Sequence, residues 1–500
     1  MSNARVLDGL FDDSAPGDLS GRTLRGGAVT GAAQAAKFVI NLGSLAILAR
    51  LLTPADFGLL AMAMVFVGFA LQMKDFGLSV ATVQSRTITH EQVSALFWLN
   101  IALSAALAAI FALASPAIAA FYENDTLREI VLVLSAGIFG HGLGAQHTAL
   151  LRRRMAFRAI AAIEVGGLLA GGLLGVALAL AGAGWWALVA MQAAQPFVAA
   201  LIAFHCCPWV PGRAELGPAT FGMIRFGSNL AAFNVVNYVT RNADDALIGR
   251  YVGESALGAY SRAYGLLMLP IRQLSTPIAA VTLPALSRLQ DDAAEFRRYF
   301  LKSLEIIALL TMPTVVVMGV LAHDIVLLVL GAQWGFAADL FRVFSIFAFF
   351  QAVPIAGSWT MIALGRSDRM LKWGALQAAI AVPVFVAGLP WGAMGVAVAA
   401  TLMALTMMGP ALVYALRGSP LGLRDVLEAV RVPLLFSLSL LPVLLGLDLW
   451  MADAHHVARI AALCAAALAQ FGFACALAPR LRHDFMHFLG VLRRRKRADG

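Results

Sequence analysis

Apolar positions along this chain fall in blocks of roughly 20 residues, separated by short polar punctuation. That length matches a helix crossing a hydrocarbon core of about 30 Å. Helices are the expected form, because every backbone polar group of a spanning segment must be satisfied inside the segment. The period-two alternation of barrel strands is absent. The pattern predicts about 14 spans, at 27–49, 58–82, 94–121, 127–150, 160–182, 185–205, 222–249, 257–285, 300–322, 338–363, 370–389, 391–416, 430–447 and 457–478. The segment Asp324 to Trp334 is apolar but too short to span, and reads as interfacial or re-entrant. Residues Met1 to Arg25 are polar, with Asp8, Asp12, Asp13 and Asp18. The first apolar run, from Gly27 to Ala49, is longer than a signal-peptide core and reads as a true first span. The expected fold class is therefore an all-α polytopic membrane protein.

Composition agrees with this reading. Sixty per cent of the 500 residues are hydrophobic and 13% are charged, against about 25% charged in globular chains. The net charge of +9 would suit a nucleic-acid partner, but its distribution points elsewhere. An even number of spans puts both termini on one side, and basic residues choose the side. With the termini inside, the inner segments hold Arg22, Arg25, Arg86, Arg152, Arg153, Arg154, Arg158, Arg213, Arg288, Arg297, Arg298, Arg366, Arg369 and Arg417, with the C-terminal Arg493 to Arg497 cluster. The outer loops hold only Arg50, Arg128, Arg250 and Arg459. The expectation is a bacterial inner-membrane protein with cytoplasmic termini, its basic tail lying near anionic headgroups. No nucleic acid is expected. Cys206, Cys207, Cys464 and Cys475 show no metal spacing, and no cofactor or metal is expected.

An internal repeat organises the chain. Leu48-Ala49-Arg50-Leu51-Leu52 aligns with Ile248-Gly249-Arg250-Tyr251-Val252, and Phe57-Gly58 with Leu257-Gly258, all at an offset of 200. Gln84-Ser85-Arg86 resembles Leu286-Ser287-Arg288 at a slightly shifted offset. The offset holds an even number of spans, so the repeat is parallel, and substrate sites in such transporters lie between the halves. The expected organisation is an N-terminal tail at 1–25, six-helix lobes at 26–210 and 211–420 around a central cavity, two further helices at 421–478 and a basic cytoplasmic tail at 479–500.

Polar residues inside the spans mark the candidate chemistry. Thr30, Gln34, Lys37, Asn41 and Ser44 follow steps of three and four, and so share a helix face. Asn234, Asn237, Arg241 and Asp244 occupy the matching positions one repeat later. Charges at membrane depth are costly and normally face a bundle interior or wet cavity. Lys74, Asp75 and Gln72 add to the second span, Arg262, Arg272 and Gln273 to the eighth, and Glu164 is a lone acid in the fifth. The basic excess suits a phosphate or pyrophosphate, with arginine offering bidentate contacts. Lys37, Arg241, Gln34, Asn41, Asn234, Asn237, Arg262, Arg272 and Lys74 are the candidate substrate residues; Asp244, Asp75 and Glu164 are candidates to carry a coupling ion. Against each stands a structural reading: snorkelling, or an ion pair such as Arg241 with Asp245. His141 and His147 read as packing residues or titrating groups. Pro270, Pro277 and Pro284 recur every seven residues and should loosen their helix, as a hinge would require.

Several stretches resemble a known family. They are Leu48 to Gly58 (LARLLTPADFG), Asp75-Phe76-Gly77-Leu78-Ser79, Val83-Gln84-Ser85-Arg86, Phe97-Trp98-Leu99-Asn100, Asn242 to Arg250 (NADDALIGR), Leu257-Gly258-Ala259-Tyr260 and Leu283 to Asp292 (LPALSRLQDD). In this order they are similar to the lipopolysaccharide and colanic-acid type (Wzx-like) flippases of the multidrug/oligosaccharidyl-lipid/polysaccharide superfamily. The resemblance implies two six-helix lobes around a cavity, two further helices, and alternating access. It also implies undecaprenyl-pyrophosphate-linked oligosaccharide carried to the periplasmic leaflet for O-antigen or exopolysaccharide export, beside a polysaccharide polymerase and chain-length regulator. A multidrug or cation antiporter of the same superfamily would favour a more acidic cavity. A membrane enzyme would need a larger periplasmic loop or paired acids, and no nucleophile, nucleotide or metal motif is present. A non-transporting scaffold of a polysaccharide assembly complex stays open, with the intramembrane charges then a cost without a use.

Overall fold

In the computed structural model, residues 19–74, 77–85, 88–213, 238, 241–451 and 454–477 are described, with side chains from residue 29 to residue 472. These residues are helical, without strands. The helices are α1 (Leu19–Leu51), α2 (Pro54–Met73), α3 (Leu78–Gln84), α4 (His90–Tyr122), α5 (Thr126–Leu143), α6 (Ala145–Arg153), α7 (Phe157–Leu180), α8 (Trp186–Cys206) and α9 (241–251). They continue as α10 (Glu254–Arg288), α11 (Ala293–Val320), α12 (Ala322–Val329), α13 (Gly335–Phe349), α14 (Ala352–Ala363), α15 (Ser367–Gly388), α16 (Gly392–Leu416), α17 (Leu423–Trp450) and α18 (His456–Leu477). Among the described residues, ten helical stretches are long and apolar enough to cross a membrane, and α13 with α14 makes an eleventh, bent by 46°.

That count differs from the sequence expectation for local reasons. Most of 222–249 lies outside the described residues. The run 338–363 is two helices broken at Phe350 and Gln351. The two spans expected within 370–416 are α15 and α16, which fold back on each other at a 3-10 turn over Leu389–Trp391 and, being continuous through that turn, count once among the ten. The run 127–150 divides at Gly144 into α5 and α6 but still counts as one stretch, Thr126–Arg153, whereas the last expected span, 457–478, has a described apolar part, His456–Gly472, that falls short of the length. By contrast α10 continues through Pro270, Pro277 and Pro284 as a single helix of 35 residues.

Helix starts follow from the sequence. Thr53 caps α2: its hydroxyl accepts from the Asp56 amide, the Asp56 carboxylate accepts from the Thr53 amide at 2.8 Å, and Pro54 takes the first helical position. Thr89 and Gln92 repeat the device at α4. The Asp292 carboxylate accepts from the Ala294 and Glu295 amides to begin α11.

Two compact units divide the chain, residues 1–258 and 259–498. In the first, α7 and α8 pack on glycines spaced by four: Gly167, Gly171 and Gly175. A Cβ on Gly171 would stand 2.8 Å from the Met191 carbonyl, and one on Gly175 3.1 Å from that of Ala187. Lipid gives helices no hydrophobic reason to associate, so such close backbone approach supplies the attraction. Gly172, on another face of α7, admits Ser44 of α1, where a Cβ would be 2.7 Å from the Ser44 hydroxyl.

The repeat-related glycines also meet inside this unit. A Cβ on Gly58 would strike the Glu254 carbonyl, and one on Gly258 would strike the Pro54 carbonyl. Pro54 and Glu254 are themselves 200 apart. Each contact is therefore the other with its repeats exchanged, a local two-fold relation at the crossing of the starts of α2 and α10. In the second unit, Phe296, Phe300, Leu304, Ile307 and Met312 present one face of α11 to Ala352, Ala356 and Trp359 of α14 and Val426 of α17.

Candidate functional site

The lysine inside the first span is paired. Ser44 on Gly172 sets α1 against α7, and both helices run the same way. Two turns earlier on each, Lys37 and Glu164 come together, with Lys37 Nζ donating to Glu164 Oε2 at 2.6 Å. Arg152, at the end of α6, donates to the other carboxylate oxygen at 3.5 Å. One acid thus stands between two cations, with net charge +1. The side chains of Lys37 and Glu164 are 24% and 33% exposed, and that of Arg152 54%. An ammonium carries three N–H donors and the carboxylate takes one. The group can therefore accept an anion by adding a second partner to Lys37.

The other sequence candidates spread out. Gln34 and Asn41, on the Lys37 face of α1, are exposed. Arg241 lies on α9 and is exposed, while Asp244 is half-buried on the same helix. Lys74 follows the last residue of α2, near enough to His141 to act on it electrostatically. Arg262 is half-buried and Arg272 exposed, both on the part of α10 in the second unit. Asn234, Asn237 and Asp75 lie outside the described residues. Lys37 and Glu164 come into direct contact, although the sequence pattern gives them different roles.

His147 is buried in packing. Its Nε2 donates to the Trp209 carbonyl at 3.0 Å, and Phe97, Phe204 and Trp209 meet its ring edge-on. Trp209 in turn donates from Nε1 to His90 Nδ1 at 3.0 Å. Burial pushes the Cys207 thiol beside it above its ordinary range, which keeps it protonated and inert. Cys206, Cys207 and Cys464 are free thiols, and the described residues contain no cluster able to hold a metal ion.

Two features had no sequence signal. A buried polar group in the first unit joins Thr82 to Gln146 at 2.8 Å, near Asn100 and Ser104 of α4, which pack on Gly142. In the second unit the buried Asp324 of α12 pairs with His456 Nδ1 at 2.5 Å and with Arg459 Nη1 at 3.4 Å, and Arg459 also binds Asp448. This ties α12, α17 and α18 together. Thr82 and Gln146 are 64 residues apart and Asp324 and His456 132, distances that leave no spacing to read.

Many apolar helices in two compact units, with charge inside the spans, define a polytopic membrane protein. A lipid II flippase, MurJ, in an inward closed conformation has the same fold, with TM-score 0.69 and 14% identity, covering 89% of this chain and 99% of that one. Residues 47–339 match the family described as polysaccharide biosynthesis protein, and the chain belongs to that family. It is similar to the lipopolysaccharide biosynthesis protein WzxC of Escherichia coli K12, 26% identical over 392 residues, which cover 76% of this chain and 78% of that protein. It is also similar to the succinoglycan biosynthesis transport protein ExoT of Rhizobium meliloti, 27% identical over 60% of this chain and 61% of that protein.

Proposed function

We propose that this chain is a flippase moving undecaprenyl-pyrophosphate-linked oligosaccharide repeat units from the cytoplasmic to the periplasmic leaflet by alternating access. The product would feed O-antigen or exopolysaccharide export. The observation that carries the reading is the Lys37–Glu164 pair inside apolar helices of a polysaccharide biosynthesis family member, met by Arg152 from the end of α6. A charge at that depth costs several kcal/mol, and a carrier of an anionic lipid head has a use for it. Gln34 and Asn41 on the same face, with Arg241, Asn234 and Asn237 at matching repeat positions, supply hydrogen bonds for glycan and further charge for the pyrophosphate. Lys74 in the first unit and Arg262 and Arg272 in the second are further basic candidates for the pyrophosphate. Glu164, Asp244 and Asp75 are the carboxylates from which a coupling ion site would be drawn. The bias of basic residues orients the chain in the bacterial inner membrane with both termini in the cytoplasm. A polysaccharide polymerase and chain-length regulator are the natural neighbours. The basic balance weighs against a cationic-drug antiporter, and no catalytic step is assigned.

The test is transport in vesicles reconstituted with the full chain and a fluorescent lipid-linked oligosaccharide. Wild type should move it across the bilayer. Lys37→Ala should slow it about tenfold, the value of one lost charge-assisted contact of about 1.4 kcal/mol. Movement at the protein-free rate would defeat the transport reading in favour of a scaffold. An unchanged rate in Lys37→Ala would defeat this site.

A further inference from the structure

Helices α15 and α16 form an antiparallel hairpin in the second unit. Gly388 meets Gly395 at its tip, Trp373 stacks on Tyr414 at 5.4 Å, and Arg369 reaches the Arg417 carbonyl at 2.7 Å. Along the hairpin lies an apolar trough of about 750 Å3, lined by Ile380, Val384 and Ala387 of α15 and Ala399, Met403 and Met407 of α16. Methionines are flexible and fit a chain of irregular shape.

The same face continues to a cationic end. Arg369, Trp373, Ile380, Val384 and Ala387 follow steps of three, four and seven, and share one side of α15. On α16 the spacing back from Met403 to Tyr414 is eleven residues, three turns. Below the aromatic pair, Arg366 donates to the carbonyls of Arg417 (2.6 Å) and Gly418, and Arg369 shares the Arg417 carbonyl. These bonds use three of the ten N–H donors that two guanidinium groups carry. Arg417 adds a third guanidinium, and among the described residues no carboxylate pairs with any of the three. Nearby Asp368 is 4.0 Å from Lys372.

We propose that this strip binds a polyprenyl phosphate lipid, with its phosphate on Arg366, Arg369 and Arg417 and its tail in the trough. The inference rests on the reading of the chain as a carrier of lipid-linked oligosaccharide and names where that lipid's tail lies. Length selects the occupant. From Arg369 to Ile380 the helix rises about 16 Å, and to Trp391 about 33 Å. Half of a 30 Å core is about 15 Å. A phospholipid headed on the arginines ends where the trough begins. A polyprenyl chain is long enough to fill it from the same head position. Three uncompensated guanidinium groups complement a phosphate, and an aromatic pair between charge and trough suits the depth of an interface.

The test uses the purified full chain in phosphatidylcholine nanodiscs, with retention of undecaprenyl phosphate, farnesyl phosphate and phosphatidylglycerol read by native mass spectrometry. Undecaprenyl phosphate should be retained at least about tenfold better than either other lipid, since each buried methylene contributes to affinity. Ala399→Trp, which fills the trough, should bring undecaprenyl phosphate down to the farnesyl level and leave farnesyl phosphate unchanged. Met403→Gln keeps the volume and should act in the same direction, so the test survives if the larger substitution fails to fold. Arg369→Gln should weaken all three. Equal displacement by phosphatidylglycerol would make the strip ordinary lipid contact and overturn the proposal. Unchanged retention in folded Ala399→Trp or Met403→Gln would overturn it too. Vesicle transport is read separately: intact transport with trough variants that bind normally removes the strip alone, while a wild type that binds but moves nothing removes the transport reading alone.

Discussion

In the first unit Glu164 stands between Lys37 and Arg152 and is one-third exposed; in the second, Asp324 stands between His456 and Arg459 and is 2% exposed. Both acids join helices far apart in sequence, with the same chemistry. Burial separates their consequences. A carboxylate shut away from water depends on its partners, and removing either side strands a charge at several kcal/mol. A pair on an accessible face leaves the remaining donors of its ammonium available to a ligand. The first arrangement suits a site, the second a clamp holding the terminal helix pair to α12.

The largest effect expected from this contrast is at Asp324. Asp324→Ala should cost about 3 kcal/mol, since half-buried Arg459 is left with Asp448 as its remaining acid and the buried tie to His456 is lost. Thermal unfolding of the detergent-solubilised chain reads the loss. A cost below about 1 kcal/mol would place Asp324 with the exposed pairs and remove the contrast.

Backbone contact does in the first unit some of what charge does in the second. Gly58→Ala and Gly258→Ala each add a Cβ against a facing carbonyl oxygen. Each should destabilise by about 2 kcal/mol, the overpacking range. Because the two contacts are reciprocal at one crossing, the double variant should cost less than the sum. Full additivity in thermal unfolding would show that the two glycines act at independent places.

The repeat was readable because Gly58 and Gly258 sit in matched motifs, and the structure brings those motifs together through glycine itself. Helix starts were readable too: Thr53-Pro54-Ala55-Asp56 is a local signal with a local outcome. The breaks at Gly144 and at Phe350 were not, because an apolar run gives no sign of where tertiary packing will turn it. Pro270, Pro277 and Pro284 carried the opposite lesson, since neighbouring groups can accommodate proline in a continuous helix. At the candidate site, Lys37 and Glu164 were each visible as charges out of place. Their pairing was not, because it depends on the register that Ser44 and Gly172 impose between α1 and α7.

That pairing can be reversed without being removed. The double variant Lys37→Glu with Glu164→Lys keeps an opposite-charge pair across α1 and α7. Its stability should stay within about 1 kcal/mol of wild type, while vesicle transport should fall about tenfold, because the spare ammonium donors now project from α7. Restored transport in the swap would make the pair a structural tie like that of Asp324, wherever its charge happens to sit.

The smallest effect belongs to the other end of the α11–α17 packing. Arg297 donates to Asp425 from Nε at 3.0 Å and from Nη2 at 2.5 Å, a bidentate geometry, yet the arginine is 50% exposed. Asp425 also accepts from the Gly422 amide at 2.8 Å and so helps to start α17. Arg297→Ala should cost about 0.5 kcal/mol. Asp425→Ala should cost about 1 kcal/mol more, since it also removes a cap. The coupling energy from the double variant isolates the ion pair from the cap and should stay below about 1 kcal/mol. A coupling above about 2 kcal/mol would show that bidentate geometry alone can match burial, and exposure would no longer be what separates Glu164 from Asp324.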